Sequence, residues 1–480
     1  MTAAETKPGW EMVVGLEVHC ELLTLTKLFC GCKNAFGDEP NTNVCPVCLG
    51  LPGSLPVLNR YAVELAMRIG SALHCEIAPS TFHRKNYFYP DMPKDYQISQ
   101  YDEPINVGGF LELPDGEKIG VTRAHIEEDT GKTTHVGGGG RIGSAEYSLV
   151  DYNRAGVPLV EIVSEPDIRS AAGARAYAAE LRSILVATGA SDGRMEEGSM
   201  RVDANVSVRP SGTSGFGTRC EIKNLNSLRS VMRAIDFEAA RQIALIEDGQ
   251  SVTQETRHWD EAAGRTLPMR SKEEAEDYRY FLEPDLVPLV PEPSWVEAVA
   301  LSIGPLPAAR RAALLALLDD ASGSQREQVN AVVNQDLDHL VVMAANAGAA
   351  PELALTRVAN EVAAGYDAAR GLDPGAFSAL LSLEASGLLS ATQAKAVLGE
   401  MLTVGGDPAQ IARDKGFEAL SVDTLAAAVA AAVAAQPEVW QRFVDGDEKL
   451  AGSFISDVMR ATKGKANGAA VRAELERLRG

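Results

Sequence analysis

Arg201-Val-Asp-Ala-Asn-Val-Ser-Val-Arg209 alternates polar and apolar residues without a break. That is the period of a β-strand with one wet face and one dry face. Val202, Ala204, Val206 and Val208 belong to a core; Arg201, Asp203, Asn205, Ser207 and Arg209 take the other side. Two guanidinium forks, a carboxylate, an amide and a hydroxyl in one row suit phosphate, sugar and carboxylate ligands. Other segments repeat the device. Glu17, His19 and Glu21 alternate with Leu16, Val18, Cys20 and Leu22, and Arg219, Glu221 and Lys223 alternate with Cys220 and Ile222. Glu161 is a carboxylate inside the otherwise apolar Pro158-Leu-Val-Glu-Ile-Val163. In Arg123-Ala-His-Ile-Glu-Glu-Asp129, Glu127 and Glu128 are adjacent. On a strand they face opposite sides, so at most one joins a shared site directly. The expectation is one antiparallel sheet with a polar face lined by acids and bases.

Around this sheet the chain divides by composition. Its 480 residues are enough for more than one domain. Helical patterns run from about Ser170 to a stop at Gly189, and from the N-cap Ser227 to Gly249. Four prolines in Glu283-Pro-Asp-Leu-Val-Pro-Leu-Val-Pro-Glu-Pro293 forbid a helix and mark a boundary. Beyond it the pattern is helical, rich in Ala and Leu, with a second break at Gly405-Gly-Asp-Pro408. The fold class is therefore α+β: a sheet domain over residues 1–293 with flanking helices, then two all-α domains over 294–406 and 407–480. No signal peptide or membrane span is visible, which makes a reducing cytoplasm the expected location. The net charge of −21 argues against nucleic-acid binding over the whole surface but not at a local basic site. The tail offers one, with Arg460, Lys463 and Lys465 followed by further arginines. Gly137 to Gly140 lacks the flanks and the Lys-Ser/Thr of a phosphate loop and reads as a hairpin tip.

Two clusters have the chemistry of metal sites. Cys30-Gly-Cys32 and Cys45-Pro-Val-Cys48 are separated by twelve residues, a spacing that closes a tetrahedral, structural Zn2+ site. Glu17, His19, Glu128 and Glu161 are candidates for a harder ion such as Mg2+; acids simply paired with the many arginines fit the same residues. A third block, Phe82 to Tyr101, gathers Lys85, Lys94 and several tyrosines, groups that hold phosphate or stack on a base.

Taken together, these segments resemble the B-subunit family of tRNA-dependent amidotransferases (GatB type). The resemblance rests on Gly15-Leu-Glu-Val-His19, the four-cysteine segment running into Gly53, Lys85-Asn-Tyr-Phe-Tyr-Pro-Asp91 and Glu127-Glu-Asp129. It continues through Ser148 to Arg154, Glu161 to Asp167, Arg201 to Val208, Glu221 to Ser227 and Asp277-Tyr-Arg-Tyr-Phe281. Leu282 stands where the family usually has Pro. The resemblance implies a cradle-shaped N-terminal domain, a YqeY-like helical tail, and a reaction. ATP would phosphorylate the side-chain carboxylate of Glu or Asp mischarged on tRNA, and ammonia would displace the phosphate. It implies Glu128, rather than Glu127, in catalysis and in the Mg2+ set, with Lys85 and Lys94 assisting. Arg201, Asp203, Asn205 and Lys223 would hold ATP, and Arg460, Lys463 and Lys465 would contact tRNA. Ammonia would come from an amidase A subunit, tied on by a small C subunit. A metal-dependent phosphatase or kinase and a noncatalytic tRNA scaffold are the alternative classes; the helical second half disfavours the former.

Overall fold

The structure, a computed structural model, describes residues 7–137, 145–271, 278–365, 371–417, 422–462, 466 and 468–479. The chain forms two compact units, one running to Pro307 and one starting at Ala308.

The first unit is built on a large sheet. Its main path begins with β14 (Arg265–Ser271), β13 (Glu255–Asp260), β12 (Cys220–Leu225), β11 (Met200–Pro210), β1 (Trp10–Glu21) and β10 (Pro158–Ser164). It continues through β7 (Lys118–Glu128), β4 (Tyr96–Ser99), β3 (His83–Asn86) and β15 (Phe281–Leu282). Short strands β2 (Glu76–Ile77), β5 (Asn106–Val107) and β6 (Phe110–Glu112) extend it at β7. The sheet is mixed, which corrects the expectation of a purely antiparallel one: β12 pairs with β13 in parallel. Helix α3 (Leu228–Glu247) separates those two strands, and a parallel pair needs such a crossover.

The alternation that opened the sequence decides the faces. Leu16, Val18 and Cys20 of β1 and Val202, Ala204 and Val206 of β11 are all essentially buried. They pack in one core with α1 (Arg60–Ala72), α2 (Ala171–Ala187) and α3. The Ser170 and Ser227 side chains accept hydrogen bonds from Gly173 N–H and Ser230 N–H, which starts α2 and α3 where the capping pattern places them. Each fully buried aliphatic side chain contributes about 1.5–3 kcal/mol, so a one-residue slip of β1, which would turn its apolar row out, is strongly disfavoured. Strands β8 (Lys132–Val136) and β9 (Tyr147–Asp151) form a separate hairpin; its expected tip, apart from Gly137, lies outside the described residues.

Helix α4 (Pro293–Leu301) belongs to the first unit. Val299 joins its core, and Trp295 lies under the Arg60 guanidinium at 4.5 Å. The compact unit thus extends beyond the proline-rich segment, because these side chains bury against α1. In the second unit the described elements are helices, gathered on two cores. One spans Leu314 to Ala412 and the other Val429 to Leu475. Among the described residues no helix is long and apolar enough to cross a membrane.

Candidate functional site

The polar face of the sheet carries the site. Across β11, β1, β10 and β7 the register places Arg201 opposite His19, His19 opposite Glu161, and Glu161 opposite His125. Glu127 lies one step further along β7 on the same side. His19, Glu127 and Glu161 each bring a ligand atom within 4.8 Å of the others. His19 Nε2 is 3.4 Å from Glu161 and 3.6 Å from Glu127. His125 Nε2 stands 3.7 Å from Glu161 and 3.9 Å from Glu127. Glu17 borders the same cavity of about 300 Å3 and accepts a 2.9 Å hydrogen bond from the Asn205 amide.

Glu128 is elsewhere. Period-two geometry turns it to the opposite face, where it is 2 % exposed, is paired with the Lys94 ammonium and accepts a 2.8 Å hydrogen bond from Ile98 N–H. The expected Glu17–His19–Glu128–Glu161 set is therefore not assembled as a unit. Glu127 occupies the place given to Glu128, and Lys94 leaves with Glu128. Lys85 stays on the site side, its ammonium 4.7 Å from the Tyr278 ring.

The electrostatics fit an ion-binding pocket. Burial lifts the Glu127 carboxyl above its ordinary range, and the Glu161 charge adds to the lift. Glu17 is raised by burial and by Glu161, Glu221 and Asp203. Burial opposes protonation of His19, but its hydrogen bond to Glu161 and the surrounding carboxylates outweigh this and raise it to about 9. His125 is pushed down to about 4, mainly by burial. Without a cation the carboxylates must repel one another or share a proton with His19. A divalent ion would replace that proton. The donor set, two carboxylates and neutral imidazole, suits Mg2+ or Mn2+. Cations ring the acids. Arg123 lies 3.7 Å from Glu161, Lys223 is 2.9 Å from Asp203 and 3.1 Å from Glu221, and Arg201 is 2.7 Å from Asp129.

The four cysteines do assemble: the Sγ atoms of Cys30, Cys32, Cys45 and Cys48 lie within 4.8 Å of one another. A tetrahedron with ~2.3 Å Zn–S bonds needs sulfur separations of roughly 3.8 Å, and Cys45 and Cys48 are 3.9 Å apart. The hydrogen bond between Cys30 and Cys48 holds the Cys48 thiol down to about 5. The donor set and its spacing fit Zn2+. Nearby Lys27 is fully buried and donates to the Tyr152 carbonyl at 3.2 Å.

The tail residue Arg460 is exposed and pairs with Asp457 at 3.2 Å. Lys463 and Lys465 lie outside the described residues. Sequence reasoning had not singled out His125 or Arg123. The signal was present, because Arg123, His125 and Glu127 share a period of two.

Comparison with known proteins agrees with this architecture. Residues 12–297 match the GatB/GatE catalytic domain, and residues 340–478 match the GatB domain. The B subunit of the aspartyl/glutamyl-tRNA(Asn/Gln) amidotransferase of Frankia casuarinae is 52 % identical over 481 residues, covering 96 % of this chain and 94 % of that protein. The protein of that name from Mycobacterium avium is 50 % identical over 481 residues, covering 96 % of this chain and 94 % of its own length. Its counterpart from Nocardia farcinica is 47 % identical over 490 residues, with 98 % and 96 % coverage. A family match over more than half of the chain, with relatives this similar over nearly its whole length, shows that the chain belongs to the GatB family.

Proposed function

We propose that this protein activates the side-chain carboxylate of Glu or Asp mischarged on tRNA and converts it to the amide. The observation that carries this reading is the His19–Glu127–Glu161 cluster, set on a sheet face ringed by Lys85, Arg123, Arg201 and Lys223. A carboxylate carbon is a poor electrophile. Its oxygen must first attack the γ-phosphorus of ATP, releasing ADP. Ammonia then attacks the acyl carbon, the bond to phosphate breaks, and a proton is lost to leave the neutral amide.

Phosphoryl transfer depends on positioning and charge neutralisation. His19, Glu127 and Glu161, with Glu17 at their edge, would hold a Mg2+ ion, which supplies neutralisation of the phosphate oxygens. Lys85, Arg123 and Lys223 bring fixed positive charge to the same cavity. Asp203 and Glu221 clamp the half-exposed Lys223 ammonium and keep it firmly protonated. Arg201, held by Asp129, Asp203 and Asn205 complete the surface assigned to ATP. Glu128 and Lys94, on the other face, support the strands instead of touching substrate. The four cysteines hold a structural Zn2+ in this reading.

Ammonia arrives from an amidase A subunit, with a small C subunit completing a heterotrimer in the cytoplasm. The helical tail, with Arg460, Lys463 and Lys465, contributes tRNA binding. The test is to purify the chain with these partners and supply ATP, ammonia and each mischarged tRNA. ADP release that depends on the mischarged tRNA, together with Gln-tRNA or Asn-tRNA, is the expected result. ADP release indifferent to the tRNA, or none at all, sinks the proposal.

A further inference from the structure

Two segments that carry the family resemblance, Lys85 to Asp91 and Tyr278 to Phe281, meet in the structure, and of these residues the reaction described above uses Lys85 alone. Strand β15 pairs with β3, Phe281 opposite Arg84 and Leu282 opposite His83, so residues 278–285 run along the edge of the sheet. Their far end is pinned by Glu283. Its fully buried carboxylate takes a two-pronged ion pair from the Arg84 guanidinium, at 2.7 and 2.8 Å. That guanidinium lies 4.3 Å over the Tyr96 ring. Glu283 N–H also donates to the Phe82 carbonyl at 2.8 Å.

The near end is strained. Arg279 has a φ of +46°, in the left-handed region that is costly for a residue with a side chain. One amide holds it there. Asn86 Nδ2 donates to the carbonyl of Tyr278 at 2.9 Å and to that of Arg279 at 2.8 Å. The turn leaves Tyr278 and Tyr280 lining the cavity of the acidic cluster, beside Tyr101. Tyr280 stacks on Tyr101, with ring centroids 4.1 Å apart and planes 12° apart, and meets Tyr278 edge-on at 6.2 Å. The Lys85 ammonium closes the row at 4.7 Å from Tyr278. Burial and the nearby charges of Glu127 and Glu161 raise the Tyr280 phenol above its ordinary range.

We infer that Asn86 is a positioning residue: by holding the turn at Arg279 it keeps the Tyr278 and Tyr280 rings against the acidic pocket, and this aromatic wall shields the acyl phosphate from water. The inference rests on the proposed phosphorylation of the carboxylate. An acyl phosphate reacts with water as well as with ammonia. Water attacking the acyl carbon returns the carboxylate and releases phosphate and a proton, so ATP is consumed and no amide forms. A site closed over such an intermediate suppresses this side reaction. Rings packed in a row close it only while the turn that carries two of them stays in place. Asn86 suits that task because one amide nitrogen carries two N–H donors, enough for two successive carbonyls.

The test is the amount of ADP released per amide formed, measured on the assembled complex with ATP, ammonia and mischarged tRNA. The wild-type complex should give close to one ADP per amide. Asn86→Ala should raise that ratio about threefold or more, because water reaches the intermediate. Its Mn2+ affinity should stay at the wild-type value, which shows that the fold and the acidic cluster are intact. Tyr280→Ala, which removes a ring of the wall itself, should raise the ratio in the same way. Glycine takes a positive φ freely, so Arg279→Gly added to Asn86→Ala should bring the ratio back toward one. A loss of Mn2+ affinity in Asn86→Ala, or a lower rate at an unchanged ratio, is what a merely structural role gives, and either overturns the inference. So does a Tyr280→Ala complex that still releases one ADP per amide, or a double variant with a ratio as high as that of Asn86→Ala. Wild-type ADP release that ignores the mischarged tRNA overturns the proposed function itself, and the inference with it.

Discussion

Adjacent residues Glu127 and Glu128 should respond in opposite ways to the same substitution. Glu128 is 2 % exposed, paired with Lys94 and bonded to Ile98 N–H. Glu128→Gln leaves the Lys94 ammonium buried without its counter-charge. Breaking such a pair from one side costs about 3–5 kcal/mol. A domain of 150–250 residues loses roughly 2–4 °C per kcal/mol, and longer units fall at the low end. The melting transition of the first unit should therefore drop by roughly 6–10 °C, with affinity for Mn2+ nearly unchanged. Glu127→Gln removes a charge that already repels Glu161 and that burial disfavours. Its melting temperature should stay level or rise. Its Mn2+ affinity should fall more than the 10–100-fold typical of losing a group one shell away from a metal. Thermal denaturation followed by tryptophan fluorescence reads the first quantity, and calorimetric titration with Mn2+ the second. Normal Mn2+ binding by Glu127→Gln would refute the ligand assignment. A stable Glu128→Gln that has lost Mn2+ would restore Glu128 to the role that family resemblance implies.

Three further outcomes are expected. Elemental analysis should find about one zinc per chain, and Cys48→Ser should lose it; a fully folded, zinc-free wild-type protein would exclude the site. Buried Glu238 accepts hydrogen bonds from Arg241, Gln242 and Thr266, and although burial opposes this, its carboxyl is held below the ordinary range. The stability it contributes is complete above the unfolded value of about 4.3 and is lost as pH falls through the lower folded value. Glu238→Gln should therefore destabilise most near neutrality, with the gap to wild type closing in acid; a gap independent of pH contradicts this. Deleting the chain from Asp407 onward should weaken tRNA binding and flatten its salt dependence, whereas equal binding at equal salt would remove the tail from recognition.

The boundaries of α2 and α3 were legible because capping is local: Ser170 and Ser227 sit beside the N–H groups they satisfy. The cysteine cluster was legible for a related reason, since two close pairs leave little freedom in where the thiols can go. The extent of the first unit was not. The prolines before residue 294 break helices, but they say nothing of Trp295 and Val299, which are held by α1, distant in the chain.

By itself the sequence determined that these strands have a dry face and a wet one, because a period of two is a property of the extended backbone. It also determined that only one of Glu127 and Glu128 joins the acidic site. Which one was decided by tertiary structure alone. The choice depends on which side of β7 meets α1 and on the register that sets His125 against Glu161 and Glu161 against His19. Those partners lie far apart in the chain, and no local pattern encodes their pairing. Family resemblance favoured Glu128; the burial of Ala124 and Ile126 on its side of the strand turns it toward Lys94 and leaves Glu127 beside His19 and Glu161.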